Sequence, residues 1–278
     1  MNVQLENTTS SSTQTIRIGS VSYLNAKPLI HGLEDQDDLS LILDVPSRLL
    51  PGLREKRFDI ALLPVIDYQR LESLNIVPSG GIGCDGPTLT VRIFSRVPIE
   101  RIKTLACDTD SHTSVALARI VLAEEFGIHP QLIDLLKPDE PQSRPAEARL
   151  LIGDKVVCEE PPGFEHQLDL GSAWKQLTGL PFVFAVWTAR DGIDLRDVPQ
   201  RLERAKHEGL SHVREIVEKY AVPRGWPAGI AQQYLTSYLK FDVTPLHLQA
   251  IEKFHQLAHE HRIIERSPSP LRLYRGVS

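Results

Sequence analysis

The stretch Ile16-Arg17-Ile18-Gly19-Ser20-Val21-Ser22-Tyr23-Leu24-Asn25-Ala26-Lys27-Pro28 sets the pattern for the chain. Its first four residues alternate apolar and polar side chains like a short strand. A polar turn, Ser22-Tyr23-Leu24-Asn25, follows. Pro28 then suits the first turn of a helix, where its missing N–H is not needed. Strand, turn and helix start recur directly downstream. Residues 39–45 read as a second strand and 46–56 as a helix with Pro46 near its start. Phe58-Asp59-Ile60-Ala61-Leu62-Leu63 reads as a buried strand closed by Pro64, and 65–74 as another helix. Such alternation predicts an α/β domain with a largely parallel sheet.

A second block of the same kind follows. Residues 102–107 are strand-like and 108–114 form a polar turn. Residues 115–126 are helical, with Val115, Ala118, Val121 and Leu122 on one face and Gly127 as the stop. Residues 135–148 are rich in proline and charge and read as a surface connection. Arg149-Leu150-Leu151-Ile152 is a strand that ends at Gly153-Asp154, and 180–187 is a further apolar run. The remainder is helical in pattern: 198–220 with Gly209 as a break point, 228–239, and 245–261 with Thr244 as N-cap. Taking 88–95 and 182–187 as crossings gives two α/β lobes. Lobe 1 is then discontinuous, 16–95 plus 188–278, and lobe 2, 96–187, is inserted into it. A cleft between them is the expected ligand site.

Composition narrows the function classes. The 278 residues carry 31 Lys+Arg against 36 Asp+Glu, a net charge of −5 that disfavours nucleic acid as a partner. No run of 18 apolar residues exists to span a membrane. Residues 1–15 are polar, lack the apolar core of a secretory signal, and read as a disordered tail. Cys84, Cys107 and Cys158 are far apart and form no Cys-x-x-Cys pair, so each is expected to be a buried thiol. These features together predict a cytoplasmic protein. The glycines of Gly80-Gly81-Ile82-Gly83-Cys84-Asp85-Gly86-Pro87 read as a loop, but no Gly-Lys-Ser/Thr ending and no helix follow, which excludes a nucleotide P-loop.

Three polar clusters sit where α/β sheets bind ligands, at strand ends beside helix starts. Asn25, with Ser22 beside it, offers a donor and an acceptor; an ordinary N-cap is the other reading. Ser111, Thr113 and Ser114 open the second helix, where hydroxyls and unpaired N–H groups suit an anion, or simply cap the helix. Asp154 either faces the cleft or caps a turn. His255, His259 and His261 share the last helical pattern without an evident further ligand and read as a solvated face. The residues alone thus predict a two-lobed α/β protein that binds a small anion.

The ordered set of motifs resembles the MqnA family, chorismate dehydratases of the futalosine route to menaquinone. The set comprises Val21-Ser22-Tyr23-Leu24-Asn25-Ala26-Lys27-Pro28-Leu29, Phe58-Asp59-Ile60-Ala61-Leu62-Leu63-Pro64 and Gly86-Pro87 with Val91 and Phe94-Ser95. It continues with Ser111-x-Thr113-Ser114, Ala148-x-Leu150-Leu151-Ile152-Gly153-Asp154, Asp169-Leu170-Gly171-x-x-Trp174 and Thr178-Gly179-Leu180-Pro181-Phe182. The resemblance implies a type II periplasmic-binding-protein-like fold and lyase activity on chorismate, a small dicarboxylate, giving 3-(1-carboxyvinyloxy)benzoate. No metal and no organic cofactor is implied. It makes Asn25 the catalytic candidate, with Ser22, Thr90, Ser111, Thr113, Ser114 and Asp154 as substrate contacts. Thr90 stands where the family more often has Ser, and His112 where it more often has Arg. Arg92 is an unusual charge in an apolar strand, read as a ligand contact or a surface residue. Two other functions compete: an enzyme like 1,4-dihydroxy-6-naphthoate synthase, and a non-catalytic small-carboxylate-binding protein. The first typically opens with a Ser-Pro-Cys-Pro-Asn-Asp type motif, unlike the Ser-Tyr-Leu-Asn here.

Overall fold

A computed structural model describes residues 15–107, 111–135, 146–158 and 162–276. The expected tail (apart from Thr15), the polar stretch 108–110 and most of the 135–148 connection lie outside the described residues.

The chain runs β1 (Ile16–Val21), a 3-10 turn (Leu24–Ile30), β2 (Leu39–Asp44), α1 (Pro46–Arg54), β3 (Ile60–Pro64), a second 3-10 turn (Val65–Arg70) and the long β4 (Leu74–Cys84). Next come β5 (Val91–Ser95), β6 (Thr104–Cys107), α2 (His112–Phe126), β7 (Gln131–Asp134), β8 (Ala148–Ile152), α3 (Asp154–Cys158), β9 (His166–Asp169), α4 (Leu170–Thr178) and β10 (Phe182–Arg190). The helical return holds α5 (Val198–Ser211), α6 (Val213–Ile216), α7 (Ala228–Gln233), two π turns, the short β11 (Leu239–Lys240) and α8 (Pro245–Glu260).

Two sheets result. The first has the order β11-β4-β10-β3-β1-β2 and the second β7-β6-β8-β5-β9. Each has a parallel trio, β2-β1-β3 and β7-β6-β8, to which one antiparallel strand is added, β10 in the first and β5 in the second. The sheets are therefore mixed, not largely parallel. Every residue of β3 is buried, as expected for a central strand covered on both faces.

Sheet membership shifts the expected lobe boundaries. Val91–Ser95, expected in lobe 1, lies in the second sheet, and Phe182–Arg190, expected up to residue 187 in lobe 2, lies in the first. The chain crosses between sheets at 85–90 and again at 179–181. A crossing strand pairs with the sheet it enters, which hydrophobic pattern alone does not reveal.

The glycine segment 80–83 is not a loop but the second half of β4. A Cβ at Gly81 or Gly83 would stand 2.7 Å from a carbonyl oxygen of β10. The glycines thus permit close backbone approach where the β4–β10 register twice shifts. The 198–220 pattern breaks at His212, not at Gly209. Gly209 lies inside α5 because a side chain there would strike the Pro28 backbone at 2.3 Å. Thr244 caps α8 with a reciprocal His247 contact. Cys84 and Cys107 are buried as expected, whereas Cys158 is exposed; burial pushes the Cys84 thiol up to about 12. His255 is also unlike its expectation: it is buried, donating from Nε2 to the Val65 carbonyl at 2.7 Å and accepting from Gln69 on Nδ1 at 3.0 Å.

Candidate functional site

A cleft lies where the two sheets face one another. Leu62 and Pro64 at the end of β3, Ile82 of β4, and Phe184 and Ala185 of β10 supply its floor from the first sheet. Thr90 and Val91 at the start of β5, and Ile152, Gly153, Asp154 and Lys155 after β8, supply the opposite wall. Small-molecule sites characteristically combine such an apolar lining with a few placed polar groups.

Asn25 lines this cleft from the first turn of the Leu24–Ile30 segment. It is not an N-cap: Tyr23 holds that position and makes no side-chain cap. Leu24, Ala26, Lys27, Pro28, Leu29 and Ile30 around it are all buried, so the segment is fixed by packing. Asn25 Oδ1 is buried and has no hydrogen-bond partner among the described residues. A buried acceptor left open costs about 1–3 kcal/mol, which a ligand donor would recover.

Ser111 and Ser114 line the opposite side, at the start of the 15-residue α2. Ser111 occupies the N-cap position without capping. Its hydroxyl turns instead to Ser114 Oγ at 2.8 Å. Among the described residues no side chain accepts from the first-turn N–H groups, which stand at the positive end of the helix dipole, the arrangement that holds carboxylates.

Thr113 faces the other way. It is buried, and its Oγ1 accepts from the Ile66 backbone N–H at 3.5 Å. His112 donates from Nδ1 to the fully buried Asp67 carboxylate at 2.9 Å, which also accepts from Arg70 at 2.9 Å. Residues 112 and 113 therefore tie α2 to the Val65–Arg70 turn of the first lobe and do not line the cleft. Ser22 is exposed and outside the lining; its carbonyl accepts from Arg224 at 3.3 Å. Arg92 is also outside, against Gln167 at 3.2 Å and Asp169 at 3.6 Å. Of the sequence candidates, the fold thus gathers Asn25, Thr90, Ser111, Ser114 and Asp154 in one cleft and leaves Ser22 and Thr113 out of it.

Thr90 is set by an acidic clasp. The Asp169 carboxylate accepts from the backbone N–H groups of Thr88 and Leu89 and caps α4 through Gly171 and Ser172. Leu89 takes a left-handed φ of 67°, so the clasp holds a strained turn that delivers Thr90 to the cleft. Asp154 accepts from the Trp226 indole N–H at 2.7 Å.

Among the lining residues missed by sequence reasoning are Trp226 and Tyr234, both from the helical return. Tyr234 begins a π turn, a local widening common at functional sites. Its hydroxyl accepts from Thr90 Oγ1 at 2.9 Å. Burial pushes its phenol well above the ordinary tyrosine range, so it stays protonated. No local pattern marks this residue, because a π turn reads in sequence as ordinary helix. Among the described residues no three His, Cys, Asp or Glu side chains gather closely enough to hold a metal ion, and no helix is long and apolar enough to cross a membrane.

Comparison with known proteins follows the same outline. A family model described as menaquinone biosynthesis matches residues 16–260, which include both sheets and the whole cleft. The chorismate dehydratase of Thermus thermophilus is 29% identical over 245 residues, 80% of this chain and 87% of that protein. Among solved structures, protein AF1704 from Archaeoglobus fulgidus superposes with a TM-score of 0.71 at 15% identity, covering 91% of this chain and all of that one. The periplasmic aliphatic sulphonate binding protein SsuA from Escherichia coli superposes with a TM-score of 0.62 at 13% identity, covering 95% of each chain. The fold is thus that of periplasmic binding proteins, as the motifs implied. The expectation of a cytoplasmic chain does not stand against this likeness, since the proteins that share the fold include periplasmic ones such as SsuA.

Proposed function

The chain belongs to the menaquinone-biosynthesis family, and we propose that it is a lyase that removes water from chorismate to give 3-(1-carboxyvinyloxy)benzoate. The observation that carries this reading is the pairing across one cleft of the α2 start, with Ser111 and Ser114, and the side-chain amide of Asn25. A dicarboxylate needs two polar anchors separated by an apolar space for its ring, and the cleft has this layout.

In this reading the first-turn N–H groups of α2 and the hydroxyls of Ser111 and Ser114 hold one substrate carboxylate. Lys155 adds positive charge to the same wall. Leu62, Ile82 and Phe184 face the ring and keep water from it. The Asn25 amide N–H donates to the side-chain carboxylate and holds it over the ring carbon that bears the ether, and that carboxylate takes the ring proton. Loss of the neighbouring hydroxyl completes an aromatic ring, so the driving force comes from the substrate. The protein supplies orientation and charge stabilisation. Asp154, fixed by Trp226, borders the same space and sets the polarity of the wall facing the hydroxyl.

Incubation of the purified protein with chorismate tests this. The expected result is loss of chorismate with a product lighter by one water that absorbs as a benzoate. Binding without turnover would instead support a carboxylate-binding protein. The Asn25→Ala variant is expected to lose about 10²–10³-fold in kcat, the usual cost of removing a placed polar group from a reacting site. Near-normal turnover with binding intact would remove Asn25 from the mechanism.

A further inference from the structure

Tyr234 combines features that the dehydration as described leaves unused. It is 2% exposed, yet it lines the cleft. Its oxygen accepts a hydrogen bond from Thr90 Oγ1 at 2.9 Å. The Thr90 hydroxyl proton occupies one lone pair of the phenol oxygen. Among the described residues no group accepts the phenol's own proton, which leaves it for a ligand in the cleft that Tyr234 lines. A hydroxyl held in this way is a preorganised donor.

Resting on the dehydratase reading, we propose that Tyr234 is the general acid that delivers a proton to the departing ring hydroxyl. The carbon–oxygen bond breaks with its electron pair on oxygen, and the phenol proton joins that oxygen to complete water. The proton from the ether-bearing carbon sits on the substrate's side-chain carboxylate, and the C–H electron pair becomes part of the aromatic ring. The carboxyl proton then returns through the released water to the tyrosinate. Tyr234 ends as it began, and chorismate is converted to the benzoate and one water with no external reactant. A phenol suits the role because hydroxide is a poor leaving group and tyrosine is far more acidic than water. Burial holds the group protonated until the leaving oxygen develops charge. Thr90 then stabilises the tyrosinate by donating to the same oxygen.

The test uses the full chain with chorismate. The Tyr234→Phe variant is expected to lose about 10²-fold or more in kcat, within the usual range for a general acid, while chorismate affinity measured by calorimetry changes little. Replacing Tyr234 with 3-fluorotyrosine keeps the shape and the hydrogen bonds but makes the phenol more acidic, and kcat is expected to rise. A purely structural tyrosine would not respond to phenol acidity. The Thr90→Val variant, which removes one donor to the phenol, is expected to fall about 10-fold. Wild-type kcat in Tyr234→Phe, or a 3-fluorotyrosine enzyme no faster than wild type, overturns the proposal and leaves the dehydratase reading standing. Absence of turnover by the wild-type protein overturns both.

Discussion

Across the cleft, the Leu24–Ile30 turn is seated by packing, whereas the start of α2 is seated by hydrogen bonds. In the first, six of seven residues are buried and α5 presses its glycine against the Pro28 backbone. In the second, the Ile66 N–H reaches Thr113, the Asp67 carboxylate holds His112, and His255 of α8 fixes the neighbouring Val65 carbonyl. Both begin as strand, turn and helix start. Packing makes the first a rigid mount for one amide. In the second, the stabilising bonds are made by side chains on the far side, and among the described residues no side chain accepts from its first-turn N–H groups. The same local unit thus serves as a platform on one lobe and as an anion cradle on the other, and the two should fail under different stresses.

The largest expected difference is in acid. Burial pushes His255 down from 6.5 to about 4. The unfolded chain takes up this proton before the folded one does, so stability is unaffected above pH 6.5 and falls as pH drops from 6.5 towards 4. At 1.36 kcal/mol per unit, the loss is about 3 kcal/mol. Urea unfolding at pH 7.5 and pH 4.5 measures it, and the His255→Gln variant should show a flatter dependence. Identical pH dependence in the two proteins would mean that the α2 side is no more sensitive to protonation than the other.

A smaller, pH-independent effect is expected on the packed side. The Gly209→Ala variant places a methyl group 2.3–2.8 Å from Pro28 backbone atoms, which cannot rotate away. Overpacking of this kind costs about 2 kcal/mol, or a fall in Tm of about 4–8 °C for a chain of this size. A thermal melt checks it, and an unchanged Tm would show that the mount is looser than its burial indicates.

How much of this could be read from sequence follows from the same contrast. Two lobes, the strand ends and the two helix starts are local features, and Asn25, Ser111 and Ser114 were found because they stand at such ends. Thr113 was misplaced by one helical step: about 100° of rotation separates it from Ser114 and turns it from the cleft to the lobe contact. Ser22 opens the same turn as Asn25 but is exposed to solvent and stays out of the cleft. β5 and β10 were put in the wrong lobes because strand pairing is a long-range property. Tyr234 and Trp226 were invisible for a related reason, since only tertiary packing carries the helical return back over the cleft. The Gly80–Gly83 segment looked like a loop because close backbone approach within a sheet and freedom in a turn both call for glycine.

The smallest effect belongs to the cradle itself. Ser111→Ala and Ser114→Ala each remove one neutral hydrogen bond to a carboxylate that is bound before and during the reaction, worth about 1 kcal/mol. KM for chorismate should rise about 5-fold in each variant with kcat nearly unchanged, because an interaction equal in ground and transition states affects binding alone. The backbone N–H groups of α2 remain in both variants, so neither should abolish binding. This separates the two sides of the cleft kinetically: changes at Asn25 should appear in kcat and changes at Ser111 or Ser114 in KM. Steady-state kinetics on the two serine variants decides the matter. If either lowered kcat at constant KM, the α2 start would be stabilising charge that develops during the reaction, and the division between a reacting side and a holding side would have to be redrawn with both helix starts at the chemistry.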